Sequence, residues 1–548
     1  MKAMPEITKL ADGSAIWSHC FEKFEATVYS PVNDKDDDIL NYGFIAPYLL
    51  VFMPEKFTAD EAIDFARRKG LEKIAKDFAS SVVFIYPTRG DWDSAADDIF
   101  AEILSNSKIH QYYQDGVAVC INRFNNNEVD YHIRGAIFRT NLFGFGKSAD
   151  YIAKNCLKHF EGDGLWGRAD SAAVTCILSG LSTMPDVQAD DIPVISIGNS
   201  DEINDYLGEK CKYLLVEDEA NYVKDFYGFS RKFRRMLGEL ELDADLEAEG
   251  MVIEPVIEEL TTSVDNAGDD KATKTHRVGC FAFYNKDIFE FGPVPLLISF
   301  HGGGDSAFYI AHISQWANVA HKYGFLLVSI ENHLNSTATE MVELIERLKK
   351  RYSIDETRIY CSGFSMGGCK SWDFIAEHPS ILAAAAPMDA TFEMGINVFG
   401  QPSPYPLNTS VPVPVFYTGG AITPLPELPF QAQKCYDRIK YILELNKADK
   451  PYNVSFDNQE AWENKIWGIN GDTTISSYDK NRKATLTMEA FNSGDKIYTV
   501  LGSISGQGHE CRPHTCENAW RFLSNFRRMP DGSISGGDYE VIKNCFLK

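Results

Sequence analysis

The segment Gly363-Phe364-Ser365-Met366-Gly367-Gly368 has the residue types and spacing best suited to covalent chemistry. A serine with glycine two residues away on either side fits a turn too tight for larger neighbours, and such a turn presents the hydroxyl as a nucleophile. The short apolar run Arg358-Ile-Tyr-Cys-Ser362 precedes it, and a helical pattern from Cys369 to Glu377 follows. A helix starting behind Ser365 aims the backbone N–H of Met366, and the positive end of its dipole, at the oxyanion formed when a carbonyl is attacked. A second glycine-rich turn, His301-Gly302-Gly303-Gly304-Asp305, also follows an apolar run, and it allows another backbone donor, assigned to Gly303, to reach the same oxygen. A nucleophile with two oxyanion donors is equipment for acyl transfer.

A serine hydroxyl needs a base to take its proton, and the base needs a carboxylate to orient it. His509 lies in Gly506-Gln-Gly-His-Glu510, the loop after a late strand pattern Lys496–Leu501, and is the expected base. His514, which starts a helical pattern running to Arg528, reads better as a capping or surface residue. The acid is expected after the strand pattern Val411–Thr418, where Glu427 is the only carboxylate in the loop Gly419–Phe430; Asp389 and Asp472 remain alternatives. The cluster His509, Cys511, His514 and Cys516 lacks the paired Cys-x-x-Cys spacing of structural zinc sites. Neither a metal nor a cofactor is expected.

These side chains need a scaffold. Pro295–Phe300 and Phe325–Ile330 are continuously apolar, as parallel strands covered on both faces are. Between and after them, apolar residues recur at helical spacing through Ile310, Ile313, Trp316, Ala317 and Ala320, and through Met341, Leu344, Ile345 and Leu348. Strand, helix, strand, helix, strand is a doubly wound sheet. Val252–Thr262 and Thr275–Phe283 alternate like antiparallel strands at its edge.

The first half repeats the theme: strands Pro47–Phe52, Ser81–Tyr86 and Ala136–Thr140, with a helix Ala62–Phe78. The third strand leads to Asn141-Leu-Phe-Gly144-Phe-Gly146-Lys-Ser148, in which Gly146 stands where the nucleophile would be. This predicts two α/β units with mostly parallel sheets in tandem, the first copy without its chemistry. The boundaries are 1–237, an acidic stretch 238–250 read as a solvated helix or linker, and 251–548.

Bulk properties narrow the partners. A length of 548 residues suits two or three domains, and a net charge of −25 repels nucleic acid and anionic membranes. No signal-peptide pattern opens the chain, no apolar run is long enough to span a bilayer, and the twelve cysteines are scattered like reduced thiols. The expectation is a cytoplasmic protein acting on a small neutral substrate, with a homo-oligomer compatible but not specified.

From Met251 to Arg528 the chain resembles the α/β-hydrolase esterases related to polyhydroxybutyrate depolymerases and feruloyl esterases. The likeness rests on His301-Gly-Gly-Gly, on Ile354-Asp-Glu-Thr-Arg-Ile-Tyr before Gly-Phe-Ser365-Met-Gly-Gly, and on Gly-His509 followed by a Trp-x-Phe helix. It implies hydrolysis of acyl, hydroxyacyl or hydroxycinnamoyl esters without a cofactor. The usual Gly-x-x-Asp acid motif is replaced around Thr423, leaving Glu427 as a substitute; a similar motif, Gly198-Asn-Ser-Asp201, survives in the first half with no serine to serve. Trp462 and Trp467 lie between acid and base, where aromatic residues either wall an acyl pocket or fill core. Two alternatives stand beside the esterase: a serine peptidase of the prolyl-oligopeptidase kind, which the absence of propeller repeats disfavours, and a non-catalytic scaffold.

Overall fold

The computed structural model describes residues 7–31, 47–78, 80–106, 110–114, 117–121, 129–131, 136–164, 168–236, 239–261, 275–302, 306–331, 333, 336–390, 406–421, 433–453, 467–509 and 511–546. They form two units, Met1–Asp245 and Leu246–Lys548, which meet inside the acidic stretch.

The continuously apolar segments become central strands because a strand covered on both faces has no side left for water. Pro47–Phe52 and Val294–Phe300 are buried along their whole lengths. In the second unit the spatial order is Met251–Thr261, Thr275–Asn285, Leu326–Ile330, Val294–Phe300, Ile354–Phe364, Ala384–Met388, Val415–Gly420, Lys496–Ile504, Ala484–Ser493, Thr473–Asp479. The six strands from Leu326–Ile330 to Lys496–Ile504 are parallel to their neighbours, with antiparallel strands at both edges. The first unit runs Thr8–Lys9, Ala15–Cys20, Phe24–Ser30, Val82–Pro87, Pro47–Phe52, Ala136–Phe145, Thr175–Ser179, Val194–Ile197, Leu214–Glu217. It too has an antiparallel edge and a parallel centre. In each unit the second parallel strand in the chain lies outside the first, next to the antiparallel strand. These are two doubly wound, mostly parallel sheets of α/β-hydrolase type in tandem.

Helices pack their apolar stripes on these sheets. Ala338–Arg351 buries Met341, Leu344, Ile345 and Leu348, and a capping box between Thr337 and Glu340 starts it. Several boundaries differ from the sequence reading. The helix expected over Ala62–Phe78 is divided at Gly70, which has a left-handed φ of 68°, into Ala59–Arg68 and Leu71–Asp77. The helix through Ile310 and Ala320 breaks at Ser314–Gln315. The last long helix ends at Leu523, and Phe526–Arg528 is a strand paired with Ile534–Gly536.

The acidic stretch differs most. Glu239–Leu242 is a strand paired with Phe233–Met236, not a solvated helix or linker. Its charges face arginines: buried Arg234 pairs with Glu241 at 3.2 Å and Asp243 at 3.1 Å, and half-buried Arg139 pairs with Asp243 at 3.2 Å. Buried guanidinium groups need such counter-charges. Among the described residues no helix is long and apolar enough to cross a membrane.

Candidate active site

Ser365 sits where the strand Ile354–Phe364 turns into the helix Met366–Glu377. The turn demands φ 55° and ψ −114°, a strained conformation for a residue with a Cβ. What holds it is local. The Ser365 N–H donates to the Met388 carbonyl at 2.9 Å, tying the turn to the end of the next strand. The helix then passes so close to the central strand that a Cβ on Gly367 would collide with the carbonyl oxygens of Phe300 and His301. Met366, expected to offer its N–H to an oxyanion, is the first residue of this helix.

His509 arrives from the loop after Lys496–Ile504, 144 residues later in the chain. Its Nε2 lies 2.9 Å from Ser365 Oγ, and both side chains are buried. The imidazole packs on the Phe364 ring, with centroids 4.8 Å apart. Burial pushes the pKa of His509 down to about 4 from an ordinary 6.5. At neutral pH it is therefore an uncharged imidazole, able to accept the serine proton.

The glycine turn that begins at His301 is pinned at both flanks. His301 Nε2 donates to the Glu331 carbonyl oxygen at 2.7 Å, while the Glu331 carboxylate accepts the Ala307 N–H at 2.6 Å. His333 Nε2 donates to the His301 carbonyl oxygen at 2.8 Å, and burial holds that imidazole well below its ordinary pKa. Sequence reasoning missed Glu331 and His333. The available signal was a carboxylate directly after the buried strand Leu326–Ile330, a position where a charge needs a local purpose.

Three expected site residues, Gly303, Glu427 and Trp462, lie outside the described residues. The strand Val415–Gly420 ends beside the histidine loop: Gly420 is so close to Gln507 and Gly508 that a Cβ there would strike their carbonyl oxygens. Asp389 is also at this centre. It follows Met388, is buried, has φ 43°, and accepts the Gly420 N–H at 3.3 Å. Asp472 is elsewhere, beside the outermost strand Thr473–Asp479, where it accepts the Asn492 N–H at 2.8 Å. Trp467 is 1% exposed and packs against Tyr417, with centroids 5.3 Å apart, so of its two readings the structure supports core filling.

Fold and site define the class: an α/β-hydrolase-type protein whose second sheet presents a serine on its strand-to-helix elbow in hydrogen-bond reach of a late histidine. No protein-family model matches the chain. Over 251 residues it is 26% identical to the bifunctional acetylxylan esterase/xylanase XynS20E of Neocallimastix patriciarum; the match takes in 44% of this chain and only 32% of that protein. Among solved structures it is similar to an acetyl xylan esterase from Aspergillus awamori, at 13% identity and TM-score 0.31 over 49% of this chain and 99% of that one. It is also similar to an S-formylglutathione hydrolase from Staphylococcus aureus, at 14% identity and TM-score 0.27 over 36% of this chain and 86% of that one.

Proposed function

We propose that this protein is a serine esterase that hydrolyses carboxylic esters through an acyl-enzyme on Ser365. The 2.9 Å approach of His509 Nε2 to Ser365 Oγ, on a strained elbow at a helix N-terminus, carries the reading. Ser365 Oγ attacks the ester carbonyl as His509 takes its proton. The N–H groups of Met366 and Gly303 receive the oxyanion. His509 then protonates the departing alcohol, and water, activated by the same imidazole, releases the acid. Glu427 orients His509 and stabilises the imidazolium. The Neocallimastix patriciarum relative, whose name includes acetylxylan esterase, supports a small acyl group such as acetyl. The first unit is a non-catalytic copy, with Gly146 at its elbow.

Turnover of acetyl, butyryl, hydroxybutyryl and feruloyl esters, compared with aminoacyl anilides, tests the substrate class. The expected result is fastest hydrolysis of one ester series. Preferential anilide cleavage would favour a peptidase, and no turnover of either would sink the reading.

A further inference from the structure

Two residues beyond His509 lies a feature that ester hydrolysis does not use. Cys511 and Cys516 are not joined by a disulfide; both are buried, with their sulfurs 3.7 Å apart. We propose that they are a reversible dithiol–disulfide site, and that closing it misaligns His509 and switches hydrolysis off. The disulfide stands on its own geometry; the switching rests on the esterase reading above.

The two cysteines are held unequally. Cys516 is in the first turn of the helix Pro513–Leu523, whose Trp520 stacks on Phe325 with centroids 3.8 Å apart and whose Phe522 and Leu523 are fully buried. Cys511 precedes that helix. Its sulfur touches Met388 Sδ at 3.5 Å, and the Met388 carbonyl oxygen is the acceptor that ties down the Ser365 N–H. A disulfide needs the sulfurs about 2.05 Å apart, so from 3.7 Å they must close by roughly 1.7 Å. The packed helix resists, so Cys511 gives way. It leaves Met388 and pulls on the loop carrying His509. A displacement of about 1 Å between reacting groups is enough to cost of order a hundredfold in rate.

The oxidant is a peroxide. The Cys511 thiolate attacks one peroxide oxygen, the O–O bond breaks, and the departing hydroxide takes up the thiol proton as water. The Cys516 thiolate then attacks the sulfenic sulfur. The S–S bond forms, the S–O bond breaks, and the second hydroxide leaves as water with the Cys516 proton. Two electrons pass from the two thiols to the peroxide. Cys511 is 6% exposed and Cys516 is not exposed at all, so the first attack belongs to Cys511.

Full-length protein treated with graded hydrogen peroxide should yield a peptide in which Cys511 and Cys516 are linked, together with at least a tenfold loss of ester turnover that dithiothreitol restores. Cys516→Ser, with Cys516→Ala as a second variant should serine in the core harm folding, should keep basal turnover, form no linked peptide and need at least tenfold more peroxide for the same loss. The proposal is overturned if no link forms at peroxide levels that oxidise the exposed Cys20, or if the linked protein turns over esters as fast as the reduced one. A reduced protein that hydrolyses no ester overturns the esterase reading and the switching together, while the peptide map still decides the disulfide.

Discussion

In the proposed mechanism the charge state of one buried imidazole governs the chemistry. His509 must be neutral to act as base, and burial lowers its pKa to about 4, whereas an adjacent carboxylate raises it by stabilising the imidazolium. The acid limb of kcat/KM should therefore lie below 6.5 in the native protein and move further down in Glu427→Gln, which removes a charge that favours the imidazolium; an upward shift in that variant would contradict the assignment. The stability linkage has the same sign. A histidine whose folded pKa is depressed stabilises the fold fully above 6.5 and loses that contribution as pH falls toward 4. Glu331 gives a second test, because its carboxylate and carbonyl hold opposite flanks of the glycine turn. Glu331→Ala should lower kcat by about tenfold to a hundredfold with little change in KM, as a displaced oxyanion donor does, and Glu331→Gln, which can still accept the Ala307 N–H, should restore most of it. Equal losses in the two variants would refute the positioning role. Ser365 and His509 were legible in the sequence because glycine spacing and strand order are local signals. The companions of Glu331 were not, because a hydrogen bond to a turn 24 residues upstream leaves no local pattern.

At the scale of elements, buried strands were easy to locate because wholly apolar runs of strand length have few other uses. Helix ends were harder: the break at Ser314–Gln315 depends on a left-handed residue, Gln315 with φ 55°, that no spacing announces. The acidic hairpin was misread for a related reason. Charge density looks solvated in sequence, but Glu241 and Asp243 are paired with arginines whose burial becomes visible only in three dimensions. Asp243→Asn should therefore destabilise the first unit by about 3 kcal/mol in urea unfolding, because it removes the carboxylate that Arg139 and Arg234 share, leaving Arg234 only Glu241. A change below about 0.5 kcal/mol would mean that these arginines are solvated.

At the scale of the whole molecule, the same elbow is built twice. Gly146 has φ 58° and ψ −124° against 55° and −114° at Ser365, and its N–H donates to the Ser179 carbonyl at 2.8 Å as that of Ser365 does to Met388 at 2.9 Å. This likeness was visible in the sequence as a glycine in the nucleophile's place, whereas the matching backbone angles were not. No histidine occurs from Asp218 to Asp245, after the last parallel strand of the first unit. Gly146→Ser, made in a Ser365→Ala background, should fold at a cost of about 1–3 kcal/mol for the strained backbone and remain unreactive; labelling of that serine by a fluorophosphonate would show the first unit to be a competent site. The central claim, a covalent serine mechanism in the second unit, is tested most directly by peptide mapping of the native protein after fluorophosphonate treatment. The expected result is one phosphonylated residue, Ser365, with labelling and ester turnover both lost in Ser365→Ala. Continued ester hydrolysis with Ser365 unlabelled, or with the adduct on another residue, would contradict it.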